Sequence, residues 1–278
     1  MIDSTARVPV RRWKGGELAA SDDDLLAVEA PLAIELRWHE GEAASLREQT
    51  VAVTMRTPGH DEELAVGFLF TEGIVRRSED MVASTQSDGT VRIELSSSAR
   101  VDLASLERHS YVSSACGVCG KTSLDGLRGQ AAGTKPALWR GPRLEAQVAQ
   151  GMPAALRRGQ ATFDATGGLH AAGLFDRLGQ LEYLREDVGR HNAVDKLVGA
   201  ALLAGRLPLS DRILVLSGRA SFELLQKAAV AGVPVVAAIG APSSLAVEVA
   251  RDAGITLLGF LRHDRFNVYA GVERIDGG

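Results

Sequence analysis

Cysteine is scarce in this chain: two residues in 278, at Cys116 and Cys119. So low a count excludes the small secreted fold held by a disulfide framework. It points to a reducing compartment, where thiols stay reactive, and a cytoplasmic setting is the expectation. Long hydrophobic runs are also missing. No stretch reaches the roughly 18 uninterrupted apolar residues of a membrane helix, and even Ala228–Gly240 is interrupted by Gly232 and Pro234. Membrane insertion is not expected. Arg11-Arg12-Trp13 has the look of an export signal, but Gly15, Gly16, Glu17 and Asp22–Asp24 stand where its apolar region would follow. Nor is there a basic excess: 31 Lys and Arg against 35 Asp and Glu give a formal charge of -4. A bulk field for nucleic acid is absent, so an anionic ligand must be held by a local cluster.

What is present is an ordinary globular composition, 45% hydrophobic and 24% charged, in a chain long enough for two cores. The first thirty residues show no periodicity and read as a loose arm or an irregular strand. Leu32, Ile34, Leu36 and Trp38 alternate with polar or small neighbours, as do Val51, Val53 and Met55, which predicts two half-buried strands. A helix follows Asp61-Glu62-Glu63 and stops near Gly73, and residues 91–95 form another strand. The Gly129–Gly141 stretch shifts in composition and suggests a boundary. From Asp211 the pattern is regular: strand 213–216, helix 221–231, strand 233–239, helix 243–253, strand 255–260. Such β-α-β units imply parallel strands. The expected architecture is α/β, with an α+β N-terminal part over 1–144 and a second domain over 145–278.

The segment Ser113–Lys121, SSACGVCGK, holds both cysteines between glycines. Only a thiolate is a good nucleophile, and at an unperturbed pKa roughly 3% of a thiol is ionised at pH 7. Lys121 and the N–H groups of a helix starting near Thr122 or Ser123 are sources of a lowered pKa. A lone Cys-x-x-Cys also serves as half a zinc site or as a redox dithiol, and the spacing leaves all three readings open. Zinc would need His109, His170, His191 or carboxylates to complete it, without a close His pair, so no metal site is expected.

Four further stretches carry chemistry. FDATGGLH, 163–170, reads as a tight turn leading into a strand. EDVGRHNAVDK, 186–196, reads either as a charged helix start or as Arg190 and His191 meeting an anion, with Asp195 one turn away to fix the His191 tautomer or join a metal. Ser217, Gly218, Arg219 and Ser221 sit where a parallel strand turns into a helix, as do Ala241–Ser244 one unit later, and such turns offer N–H groups to phosphate. Phe260, Leu261, Arg262, His263, Asp264, Arg265 and Phe266 supply cations and aromatic rings for phosphate and base. The alternative for this last stretch is an exposed charged turn between strands.

CGVCGK at 116–121, TGGLHAA at 166–172, EDVGRHNAVDK at 186–196, SGRASFELLQKAAVAGVPVV at 217–236 and GFLRHDRFNVY at 259–269 together resemble the FdhD/NarQ family. This is the family of formate dehydrogenase accessory sulfurtransferases. The resemblance implies that a cysteine desulfurase loads sulfur onto the Cys-x-x-Cys loop. It implies delivery to the molybdenum bis(molybdopterin guanine dinucleotide) cofactor of formate dehydrogenase, with GDP as a fragment ligand. It further implies a homodimer and a C-terminal domain with a cytidine-deaminase-like three-layer fold lacking the zinc chemistry. On this sequence it makes Cys116 the persulfide carrier, Cys119 its auxiliary and Phe260–Arg265 a cofactor-binding stretch. Arg219, Arg262 and Arg265 are the expected phosphate contacts and His191 a secondary one. At Ala220 the family often has Ser, so a hydroxyl contact there would fall to Ser217, Ser221 or the backbone.

Overall fold

The computed structural model describes residues 3–40, 45–97, 99, 139 and 143–276. Cys116, Cys119, Lys121, the expected helix start at Thr122 or Ser123, His109 and most of Gly129–Gly141 lie outside the described residues. Residues 3–30 are not a loose arm but strands, and the first of them is irregular, its register shifting between Arg11 and Trp13. Strands β1 (Thr5–Lys14) and β2 (Glu17–Ala27) form an antiparallel ribbon. Gly15 and Gly16 turn it with φ of 64° and 94°, the two left-handed positions that a two-residue hairpin turn demands and glycine meets without strain. Arg12 ties the strands by reaching across to Asp22 at 2.5 Å and Asp24 at 3.2 Å. These cross-strand charges hide the periodicity that a buried face would show.

A four-stranded sheet follows, built from β3 (Ala30–Glu40), β4 (Ser45–Arg56), β5 (Met81–Ser87) and β6 (Thr90–Leu95) in the order β4-β3-β6-β5. Leu32, Ile34, Leu36 and Trp38 point inward and are buried, as the alternation predicts. They pack with Leu64, Ala65 and Leu69 of α1 (Asp61–Thr71). The outward face carries charge instead, with Arg92 bridging Glu35 at 2.7 Å and Glu48 at 2.8 Å. Strand β5 has no apolar alternation to announce it. Its signal is the Asp88-Gly89 turn, both residues at positive φ, which returns the chain into β6.

The remainder is three layers. Short β7 (Leu144–Glu145) leads into α2 (Ala146–Gly159) and α3 (Ala161–Thr166). Then come β8 (His170–Phe175), β9 (Leu181–Asp187) and α4 (Arg190–Leu203). The regular alternation follows as β10 (Ile213–Leu216), α5 (Phe222–Val230), β11 (Val235–Ala238), α6 (Ser244–Asp252) and β12 (Thr256–Gly259), and β13 (Asn267–Ala270) closes the sheet. Its order is β13-β12-β11-β10-β8-β9, with β10, β11 and β12 parallel and the outer pairs antiparallel. Leu214 and Leu216 face α4, α5 and α6, while Ile213 and Val215 face α2. Burial on both faces explains why these strands read as continuous apolar runs. Short β14 (Ile275–Asp276) returns to pair with β7.

Helix α4 lies between the two sheet layers, and Asn192–Leu202 are all buried. It begins at Arg190, because Glu186 and Asp187 still belong to strand β9.

Candidate functional site

The parallel ladder does not stop where β10, β11 and β12 end; backbone hydrogen bonds carry it on through the turns. Ile239 N donates to Leu216 O at 2.9 Å, Gly240 N to Gly218 O at 2.8 Å and Ser243 N to Ala220 O at 3.0 Å. Phe260 N donates to Gly240 O at 3.1 Å and Leu261 N to Ala238 O at 3.0 Å. The three turns therefore form one stitched ledge at the carboxyl ends of the strands, where open α/β sheets bind ligands. A Cβ on Gly240 would stand 2.8 Å from Gly218 O, so the ledge closes only because this residue is glycine.

Of the expected ledge residues, some face solvent and others hold the ledge together. Arg219 is exposed and has no ion pair among the described residues. Ser217 accepts the Ala171 N–H at 2.8 Å, which fixes the turn to β8. Leu261 is buried in the core on the α2 side, so it anchors the turn and does not contact ligand. Arg262 donates through Nη1 to Ile239 O at 2.7 Å and Leu261 O at 2.8 Å. Half of its fork braces the turn, and it is a weaker phosphate candidate than the sequence implies. His263, Asp264 and Arg265 are exposed, with Asp264 lying 3.8 Å from His263 and 3.7 Å from Arg265. Phe260 is 42% exposed and sits at φ 53°, a left-handed conformation that is a genuine outlier for a bulky side chain. The ladder bonds on Phe260 N and Leu261 N hold it there, and an aromatic ring stays on the surface.

The stretch 186–196 divides into three jobs. Lys196 pairs with Asp187 at 2.8 Å and donates to Thr57 O at 2.8 Å. Asn192 donates to Met55 O at 2.8 Å. Asp187, Asn192 and Lys196 thus bind the β4–α1 connection to the C-terminal layers. Asp195 is not the partner of His191: it is buried against Lys227 at 2.8 Å and Thr71 at 2.8 Å. Burial raises its pKa against the pull of Lys227. The helical spacing is right, but Asp195 is drawn to the one buried ammonium it can neutralise.

Of this stretch, His191 is the residue that reaches the ledge. His191 Nε2 lies 3.4 Å from Ser221 Oγ and 3.7 Å from Glu223 Oε2. Its imidazole, more than the opposing burial, holds the Glu223 carboxyl down to about 2. His170 stands beside Gly218, whose Cβ, if added, would be 3.3 Å from His170 Nδ1. Burial first, then the charges of Arg190 and His191, lower the His170 pKa, with Asp187 opposing. The sequence offered His170 only as a possible zinc ligand and did not single out Glu223. The Gly167-Gly168 pair beside His170 was a signal, but it resolves into a left-handed helix end at Gly167, φ 69°, and the start of β8.

The family model for the FdhD/NarQ family matches residues 27–276 of this chain. The chain belongs to the FdhD/NarQ family. The sulfur carrier protein FdhD of Streptomyces avermitilis is 46% identical over 284 residues, covering 98% of this chain and 95% of that protein. The sulfur carrier protein FdhD of Sulfurisphaera tokodaii is 41% identical over 260 residues, covering 93% and 94%. Among solved structures, a formate dehydrogenase accessory protein from Desulfotalea psychrophila matches with a TM-score of 0.74 at 24% identity over 98% of this chain and 99% of that one. That likeness establishes the shared fold. Membership also accounts for the motif stretches: FdhD/NarQ chains carry a sulfur-transfer role, and the ledge lies within the matched residues. No helix among the described residues is long and apolar enough to cross a membrane.

Proposed function

We propose that this FdhD/NarQ chain is a sulfurtransferase that takes persulfide sulfur from a cysteine desulfurase onto Cys116. It then hands the sulfur to the molybdenum bis(molybdopterin guanine dinucleotide) cofactor destined for formate dehydrogenase, working as a homodimer in the cytoplasm. The curated relatives named sulfur carrier proteins support the carrier role. The observation that carries the cofactor half is the ledge. It sits at the carboxyl ends of parallel strands and combines an exposed aromatic ring at Phe260 with exposed cations at Arg219 and Arg265. Stacking suits a guanine and guanidinium forks suit its diphosphate. GDP is accordingly the fragment to test.

The chemistry balances within the cysteine pair. Attack by the Cys119 thiolate on the Sγ of a Cys116 persulfide breaks the S–S bond and releases the terminal sulfur as sulfide. The two Sγ atoms join as a disulfide, which a cellular thiol reductant reopens. In this scheme residues 1–144 carry the sulfur and residues 145–278 hold its acceptor. Mass spectrometry after incubation with a desulfurase and cysteine tests it directly. The parent should gain sulfur at Cys116, and Cys116→Ser should neither gain it nor activate formate dehydrogenase. Sulfur loaded only at Cys119, or full activation by Cys116→Ser, would overturn the assignment.

A further inference from the structure

Every charged side chain of β1 is basic, Arg7, Arg11, Arg12 and Lys14, and every one of β2 is acidic, Glu17, Asp22, Asp23 and Asp24. On one face of this ribbon Arg12 closes over Asp22 and Asp24, so the charges there are spent. The other face carries Pro9 and Arg11 with their cross-strand neighbours Asp23 and Ser21. Arg11 and Asp23 are exposed and have no ion pair among the described residues. At the root of this face Ala27 rests on the body, its Cβ 3.7 Å from where a Cβ on Gly168 would stand. From the Pro9–Asp23 pair outward the face is open. Near the tip Trp13 pairs with Leu18, and the two are 69% and 52% exposed. A two-stranded ribbon is marginal in water without a further layer to cover it, and tryptophan is among the side chains that anchor interfaces.

We propose that the outer half of this face is where two copies of the chain meet, ribbon stacked on ribbon about a twofold axis that runs along the strands. This rests on the homodimer reading above and gives it a surface. Charge selects the arrangement. Pairing the ribbons edge to edge, or stacking them with the axis across the strands, sets β1 against β1 or β2 against β2, like charge against like. Pro9 in β1 is also a residue that blocks strand addition at an edge. With the axis along the strands, β1 of one copy lies over β2 of the other. Asp23 sits opposite Pro9 in its own ribbon, so it falls two residues, about 7 Å, from Arg11 of the second copy. Trp13 likewise falls on Leu18 of the second copy. The symmetry makes each contact twice, and each ribbon becomes the cover of the other. The strong twist of two-stranded ribbons lets the outer halves cross while the roots diverge around the two bodies.

Sedimentation of the full chain over a concentration series tests this. The parent should dimerise reversibly. Trp13→Ala with Leu18→Ala should weaken the dimer by about thirtyfold or more, the loss expected at an interface anchor, with circular dichroism showing the monomer still folded. Arg11→Asp and Asp23→Arg should each weaken it as well, because each sets like charges face to face. An equimolar mixture of those two variants should recover the dimer as a mixed pair, in which acid again meets base at both contacts. Simple damage to the ribbon would give no such rescue. A dimeric parent that all these substitutions leave unchanged would overturn the ribbon and keep the homodimer, as would variants that weaken singly but do not rescue one another. A parent that stays monomeric would overturn both; if Trp13→Ala with Leu18→Ala then also failed to activate formate dehydrogenase, the face would belong to a different protein. Sulfur loading at Cys116 is read separately by mass, so the carrier reading stands or falls on its own.

Discussion

Gly67 of α1 and Gly199 of α4 meet backbone to backbone. A Cβ on Gly67 would lie 1.8 Å from Asp195 O, and one on Gly199 would lie 1.9 Å from Glu63 O. No side chain fits between these helices, so the crossing is set by two absent methyl groups. This contact brings the α1 layer close enough for Thr71 to reach Asp195 at 2.8 Å and for Lys227 to reach Thr71 at 2.8 Å. The N-terminal sheet and the ledge are thereby parts of one packed body.

Gly67→Ala and Gly199→Ala should each destabilise the protein by about 1–3 kcal/mol or more, since extra volume in a closed contact forces backbone apart. The sign is diagnostic. In an unhindered helix interior Gly→Ala gains about 0.5–1 kcal/mol, so denaturant unfolding that shows either variant more stable than the parent would mean the helices are not in this contact.

The Lys227–Asp195 pair is buried on both sides, with side-chain exposures of 8% and 3%. Removing one partner leaves an uncompensated charge, and Lys227→Met should cost about 3–5 kcal/mol. Asp195→Leu combined with Lys227→Met should be markedly more stable than Lys227→Met alone, because neither charge then remains. Unfolding midpoints of the single and double variants check this, and equal midpoints would refute the coupling.

Much of the fold was legible because burial wrote it in periods of two and of 3.6. Leu32–Trp38 alternate because one face is covered by α1, and β10 to β12 read as apolar runs because both faces are covered. The β1–β2 ribbon and β5 escaped because they bury no such face; their evidence was in Gly15-Gly16 and Asp88-Gly89. At the site, the ledge was legible from strand-to-helix turns, but side-chain roles were not. Arg262 as a brace, Leu261 as an anchor and Asp195 as a partner of Lys227 depend on neighbours far away in sequence. The place of His170 beside the ledge was hidden for the same reason, since it arises only where β8 passes the Gly218 turn.

Glu63 takes Arg185 in a two-point bond, Nε to Oε2 and Nη2 to Oε1, the latter at 2.8 Å. Burial would raise its pKa, but Arg185 and His60 outweigh that and bring it from the ordinary 4.5 to about 2. A depressed carboxylate contributes stability that is present above the unfolded value and lost as pH falls. Stability should therefore drop between about pH 4.5 and pH 2, and Glu63→Gln should remove part of that slope. With the pair partly solvated, the share is about 1 kcal/mol. Thermal midpoints across this range test it; an identical slope in Glu63→Gln would show the pair to be silent.

Arg219 and Arg262, alike in sequence as phosphate candidates, should separate in experiment. Arg219 is exposed, without an ion pair among the described residues, so Arg219→Ala should leave the melting temperature unchanged. Its GDP affinity should fall about tenfold, the loss of one charge-assisted contact in partly screened surroundings. Arg262 donates to Ile239 O and Leu261 O; Arg262→Ala strips two carbonyls of their partner and loosens the turn that presents Phe260. It should lower the melting temperature, the cost being about 1–2 kcal/mol for two hydrogen bonds at a wet surface, and lower GDP affinity through the displaced turn. Both bonds leave from Nη1, so Arg262→Lys should recover part of each loss, since an ammonium also carries donors for two carbonyls. Calorimetry of unfolding and of GDP binding on the three variants gives all the quantities needed. Arg262→Ala with parent-like melting and a tenfold affinity loss would make it a direct phosphate contact and not a brace.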